Sequence, residues 1–110
     1  MIKVLLVDDE ELVLKILKSK VPWNEYEMEI VGSEPDGKGA LEFIQKNDVD
    51  VVFTDIKMPN MDGIEFIEKA LLIKPNTEFI VLSSYSDFPL VKNAFRVGAS
   101  DYILKVDINS

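Results

Sequence analysis

Short unbroken apolar runs alternate along this chain with segments whose apolar residues recur at helical spacing. The runs are Lys3–Val7, Met28–Ser33, Val51–Asp55, Glu78–Ser83 and Asp101–Lys105. They are rich in Val and Ile and barely alternate with polar residues, the pattern of strands covered on both faces. Between them, Glu11–Lys20 sets Leu12, Val13, Ile16 and Leu17 on one stripe. Gly37–Asn47 does so with Ala40, Leu41 and Ile44, and Gly63–Leu72 with Ile64, Ile67 and Leu71; Phe88–Val97 is the fourth such segment. Strands alternating with helices predict βαβ units and a parallel sheet. The helix ends agree. Asp62 with Glu65 forms a box-like N-terminus, Asp36 suits the cap of the second helix, and Ser86 or Asp87 that of the fourth. Pro89 is tolerated in a first turn, where N–H groups lack partners anyway. Gly98, just after Arg96, is placed to stop the fourth helix. With no internal repeat or linker, residues 1–110 read as one domain.

The polar residues that end these runs carry the chemistry. The first run ends in Asp8-Asp9, the third in Asp55, the fourth in Ser83-Ser84 and the last in Lys105. In an open α/β sheet, ligands bind beyond the carboxyl ends of the strands. Were the first and third strands neighbours, Asp8, Asp9 and Asp55 would converge and repel, raising at least one pKa until something positive entered. Mg²⁺ suits such a site, since it takes oxygen ligands and commonly joins one or two carboxylates to a phosphate. An Asp carboxylate can itself attack phosphorus. The transferring group then needs positive charge and donors, which Lys105 and Ser83 supply.

Composition narrows the options. The net charge of −8 offers no basic face for nucleic acid; it serves solubility and fits an acidic cation pocket. The absence of Cys and His excludes disulfides, thiolate metal sites, His acid–base chemistry and His phosphotransfer. No apolar stretch approaches the ~20 residues of a membrane-spanning helix. The first strand starts almost at Met1, leaving no room for a signal peptide, so a cytoplasmic setting is expected.

Four motifs then carry a resemblance: Val7-Asp8-Asp9-Glu10, the block Asp55-Ile56-Lys57-Met58-Pro59-Asn60-Met61-Asp62-Gly63, the strand-end Ser83, and Tyr102-Ile103-Leu104-Lys105. Over its whole length the chain resembles a two-component response regulator receiver domain. Pro22-Trp23 and Ser83-Ser84-Tyr85-Ser86-Asp87-Phe88 look like the subgroup fused to AraC-type DNA-binding domains. The resemblance implies a doubly wound five-stranded parallel sheet of flavodoxin-like order 2-1-3-4-5; the family's chemotaxis member is a standard illustration of that order. It implies Asp55 as phosphoacceptor from a sensor histidine kinase. Mg²⁺ would be held by Asp8, Asp9, Asp55 and the backbone carbonyl of Lys57. Ser83 and Lys105 would bind the phosphoryl group, Ser83 and Tyr102 would act as switch residues, and Lys57 and Tyr85 would tune hydrolysis. The domain would be a switch rather than an enzyme, assisting its own phosphotransfer and slow dephosphorylation.

The chain departs from the pattern in three places. Val106 follows Lys105 where the family usually has a cis proline; a cis bond before a non-proline costs ~2.5–4 kcal/mol, so a trans bond is expected. Ser84 stands where Gly or Ala is common. No helical segment follows Lys105, so the fifth helix is expected to be missing, the domain truncated, apolar residues of the central strands open on that face, and self-association possible. Other functions fit less well. A haloacid dehalogenase-type phosphatase needs a second Asp where Lys57 stands. A flavodoxin-like cofactor binder needs a phosphate loop where Asp8-Asp9-Glu10-Glu11 would repel phosphate. A phosphorylation-independent pseudo-receiver, acting only through protein contacts, is the alternative.

Overall fold

The computed structural model describes residues 1–108. Five parallel strands, β1 (Ile2–Val7), β2 (Met28–Glu34), β3 (Val51–Asp55), β4 (Glu78–Ser83) and β5 (Asp101–Leu104), form one sheet in the order β2-β1-β3-β4-β5. The helices are α1 (Glu11–Lys20), α2 (Gly37–Lys46), α3 (Gly63–Ile73), α4 (Val91–Val97) and the single turn α5 (Lys105–Ile108). The doubly wound order expected from the resemblance is therefore present.

Because successive strand residues point to opposite faces, β1 splits its side chains between two cores. Leu5 and Val7 join Val52, Phe79 and Val81 beneath α2, α3 and α4, where Ala40, Ile44, Phe66, Ile67, Val91 and Ala94 are buried. Val4 and Leu6 join Phe53 and Leu82 beneath α1, with Leu17 and Trp23. Trp23 sits in a 3-10 turn, Trp23–Tyr26, that periodicity did not show. Its indole donates to the Leu17 carbonyl at 2.9 Å, and its ring meets Phe53 edge-on at 5.4 Å. It anchors the loop between α1 and β2.

The second face is better covered than the sequence led one to expect. Leu82 is fully buried and Phe53 is 8% exposed. Ile80, Ile103 and Ile108 are only partly buried there. The reason is that β5 runs straight into α5, which lays Ile108 on this face beside Val13 and Ile16. The expected complete absence of a fifth helix is thus corrected to one turn. No cis peptide occurs among the described residues, so the Lys105–Val106 bond is trans as expected.

The caps are as expected at two helices. Asp62 accepts from the Glu65 N–H and Asp36 from the Gly39 N–H, each at 2.8 Å. Gly98 closes α4 at φ 122°, a conformation that favours glycine. At the fourth segment the expected cap is replaced. Phe88-Pro89-Leu90 forms a 3-10 turn before α4, and no Asp87 side-chain cap is made. Ser84 Oγ instead accepts from the Asp87 N–H at 3.2 Å, and pairs with Ser86 Oγ.

Gly63 decides how close α3 comes to the sheet. Its N–H donates to the Ile56 carbonyl at 2.6 Å, and a Cβ there would run into the Asp55 carbonyl oxygen. Gly63→Ala should therefore push α3 off the end of β3 and cost about 1–3 kcal/mol. Chemical denaturation checks this; an unchanged midpoint would show that the loop yields without cost.

Candidate functional site

Parallel pairing brings the polar strand ends together. β1 and β3 are neighbours with Val7 opposite Thr54, so Asp8 and Asp55 leave adjacent strands side by side. On the other flank Asp55 lies opposite Leu82, and Ser83 opposite Leu104, so Ser83 and Lys105 emerge one strand further out each. Asp8 and Asp55 are buried, at 0% and 2% exposure, whereas Asp9 and Glu10 are exposed. Carboxylate oxygens of Asp8, Asp9, Glu10 and Asp55 lie within 4.8 Å of one another.

One cation stands among them. Lys105 Nζ is 3.0 Å from Asp8 Oδ2, 3.2 Å from Asp55 Oδ2 and 2.9 Å from Glu10 Oε1. Glu10 was quoted in the acidic motif but given no role from sequence; its place directly after the aspartate pair was the available signal. Backbone donors complete the site. Asp8 Oδ1 accepts from the Glu10 N–H and Asp55 Oδ1 from the Ile56 N–H, each at 2.8 Å.

The electrostatics follow from burial. Desolvation first, and then the Asp8 charge, raise the Asp55 pKa to about 7, with Lys105 and the Ile56 N–H offsetting only part of the rise. Asp8 is also raised, by desolvation, against the Glu10 N–H and Lys105. Burial works against the Lys105 ammonium, but Glu10, Asp55 and Asp8 together hold it above the ordinary lysine range. One positive charge is thus shared by more carboxylates than it can neutralise. Asp8 Oδ2, though close to Lys105, is a buried oxygen with no hydrogen bond of acceptable geometry. A fully buried carboxylate oxygen that faces other carboxylates and has only a shared ammonium beside it fits a hard divalent cation.

The remaining predicted residues are placed as follows. Ser83 is fully buried, and its hydroxyl donates to the Ser84 carbonyl at 2.8 Å. Lys57 lies two residues beyond Asp55, and its ammonium is 3.7 Å from Asp87 Oδ1. Asp87, expected to be a cap, is instead a buried carboxylate in an ion pair. Tyr85 is 72% exposed, on the loop after β4. Tyr102 is half out of the surface, edge-on to Phe88 at 5.5 Å and Phe95 at 6.2 Å. These rings link the 3-10 turn before α4, α4 itself and β5.

The loop carrying Lys57 is tied at its far end. Asn60, at φ 69°, donates from its side chain to Asp36 Oδ2 at 3.1 Å, and the Gly37 N–H donates to the Met61 carbonyl at 3.2 Å. The Gly39 N–H and Asn60 together hold the Asp36 carboxyl below its usual range. The loop between β3 and α3 is therefore stapled to the start of α2 rather than free.

Residues 4–108 match the family model of the response regulator receiver domain. The transcriptional regulatory protein YesN of Bacillus subtilis is 37% identical over 105 residues, covering 96% of this chain and 28% of that protein. The receiver domain of AraT, a response regulator from Geobacillus stearothermophilus, superposes with a TM-score of 0.89 at 35% identity, covering 97% of this chain and 86% of that one. A two component transcriptional regulator AraC from Clostridium phytofermentans gives a TM-score of 0.87 at 32% identity, covering 96% and 82%. The chain spans between 28% and 41% of the first curated relatives it matches.

Proposed function

The chain belongs to the response regulator receiver domain family, and on that premise we propose that Asp55 accepts a phosphoryl group from a sensor histidine kinase. Receiver domains are signalling switches of two-component systems and not enzymes in the ordinary sense. The observation that carries the reading for this chain is the shared ion-pair cluster. Asp55 sits buried between Asp8 and Lys105, with too little positive charge to be fully ionised near neutral pH.

Asp8, Asp9, Asp55 and the Lys57 carbonyl are the groups that would hold Mg²⁺. When bound, the ion neutralises the carboxylates and draws charge from the phosphoryl oxygens. Asp55 then presents an ionised oxygen to phosphorus. A P–O bond forms to that oxygen as the bond to the kinase imidazole breaks. Lys105, already 3.2 Å from Asp55 Oδ2, is positioned to turn to a phosphoryl oxygen. The Ser83 hydroxyl, now spent on the Ser84 carbonyl, gains a charged acceptor that forms a stronger hydrogen bond. Those two exchanges are differential contacts, which is what shifts a two-state equilibrium.

The readout surface in this proposal is the Phe88–Tyr102–Phe95 stack, with Tyr102 as the switch aromatic. Lys57 and Tyr85 flank the acceptor and set hydrolysis. A DNA-binding domain downstream and a cytoplasmic setting complete the proposal, supported by the transcriptional regulators among the relatives. No helix among the described residues is long and apolar enough to cross a membrane.

Acetyl phosphate with Mg²⁺ tests the reading: intact mass should rise by one phosphoryl group, and EDTA should prevent it. The metal has its own check. Mg²⁺ at ten times its Kd stabilises by about 1.4 kcal/mol if it binds only the folded pocket, which raises the melting temperature by several degrees. Asp9→Ala should remove most of that rise. An undiminished rise in Asp9→Ala would place the ion elsewhere.

A further inference from the structure

We propose that Asp87 is a positioning residue that anchors the Lys57 side chain across the opening above Asp55 and thereby slows hydrolysis of the aspartyl phosphate. The inference rests on the Asp55 reading above. Lys57 stands in the loop after β3 and Asp87 in the loop after β4. Those strands are neighbours, with Asp55 opposite Leu82, so the ion pair bridges the loop that begins at the acceptor and the loop that leaves the adjacent strand.

The two partners are unequal. The Asp87 side chain is 9% exposed and that of Lys57 is 64% exposed. Asp87 is also fixed through its backbone: its N–H meets both the carbonyl and the hydroxyl of Ser84, and its carbonyl accepts from the Leu90 N–H at 2.8 Å. A rigid, buried carboxylate thus holds a flexible, exposed ammonium. A free lysine at position 57 would spend most of its time in solvent, since its rotamer entropy favours that. Paired with Asp87, its four-carbon stem is confined to the rim of the site. Neither helix capping nor core packing accounts for a buried carboxylate here, since Asp87 makes no side-chain cap.

Hydrolysis needs a water in line with the P–O bond to Asp55. The water oxygen bonds to phosphorus, that P–O bond breaks, Asp55 leaves as carboxylate, and inorganic phosphate departs with the water's protons. A confined stem at the rim reduces the time the line of attack is open.

The experiment follows decay of the acetyl-phosphate-labelled protein by intact mass, with Mg²⁺ present, in wild type, Asp87→Asn, Lys57→Met and the double variant. Asp87→Asn should decay about two- to fivefold faster than wild type, the range a partly exposed ion pair supports. Lys57→Met should decay at that same faster rate, and the double variant no faster than either. Asp87→Glu, which keeps the charge, should stay within about twofold of wild type. A role in loop structure alone would instead accelerate decay equally whether position 57 is Lys or Met, and that outcome overturns the proposal. So does wild-type decay in Asp87→Asn. Should Asp87→Asn fold poorly, Lys57→Met at wild-type rate is equally fatal, since its exposed side chain leaves the fold intact. Absence of label on wild type would defeat the Asp55 reading as well, which separates the two failures.

Discussion

Asp55→Asn should take up no phosphoryl group from acetyl phosphate under conditions that label the wild type fully. The amide keeps the shape of the side chain but is no nucleophile toward phosphorus. Asp8 and Asp9 are the nearest alternatives. The Asp8 Oδ1 oxygen is engaged by the Glu10 N–H, and Oδ2 faces Lys105 inside a fully buried residue. Asp9 is exposed but lacks a buried ammonium of its own among the described ion pairs. Loss of labelling should therefore be complete rather than partial. Intact-mass spectra with Mg²⁺ decide it. A fully labelled Asp55→Asn would move the acceptor to another carboxylate and remove the basis for every role assigned around it.

The strands and helices were legible because their signals are local. Val51–Asp55 is apolar until its last residue, and Asp62 and Gly63 mark the start of α3 in any context. The strand ends were legible for the same reason, since a carboxylate or ammonium closing a buried run needs a purpose. The strand order was not in the pattern; it came with the family resemblance and holds in the structure.

What escaped notice depends on contacts distant in sequence. Asp87 looked like a cap because it precedes a proline-containing helix start, yet Pro89 draws the chain into a 3-10 turn and Ser84 takes over the capping. The carboxylate was left to bury against a lysine thirty positions upstream, which no periodicity signals. Glu10 likewise had no role assigned from sequence, because only closure of the sheet brings Lys105 to it. The α5 turn went unseen because four residues are too few to show a helical period.

The same Asp55→Asn substitution should stabilise the metal-free protein strongly, and only above mildly acidic pH. In the unfolded chain Asp55 titrates near its ordinary value of 3.8, whereas in the fold it titrates at about 7. Between those values the folded protein keeps a proton that the unfolded chain has lost, so wild-type stability falls as pH rises through that window. Above about 7 the loss is complete. A shift of that size corresponds to on the order of 4 kcal/mol.

Asparagine has no charge to bury and shows no such fall. The substitution forfeits the Lys105–Asp55 pairing, but Lys105 keeps Asp8 at 3.0 Å and Glu10 at 2.9 Å, so no buried cation is stranded. The net gain at pH 8 should be roughly 2–4 kcal/mol, or on the order of 10 °C in melting temperature for a domain of this size. Lys105 adds no slope of its own here. Its raised pKa contributes stability that is fully present below its ordinary value of 10.5. Thermal unfolding in EDTA from pH 4 to pH 8 reads the effect. The two proteins should melt together near pH 4 and diverge steadily to pH 8, and saturating Mg²⁺ should narrow the divergence by neutralising the wild-type carboxylates. A constant gap across the pH range, or a lower-melting Asp55→Asn at pH 8, would mean that the carboxylate at position 55 is comfortably ionised without a metal.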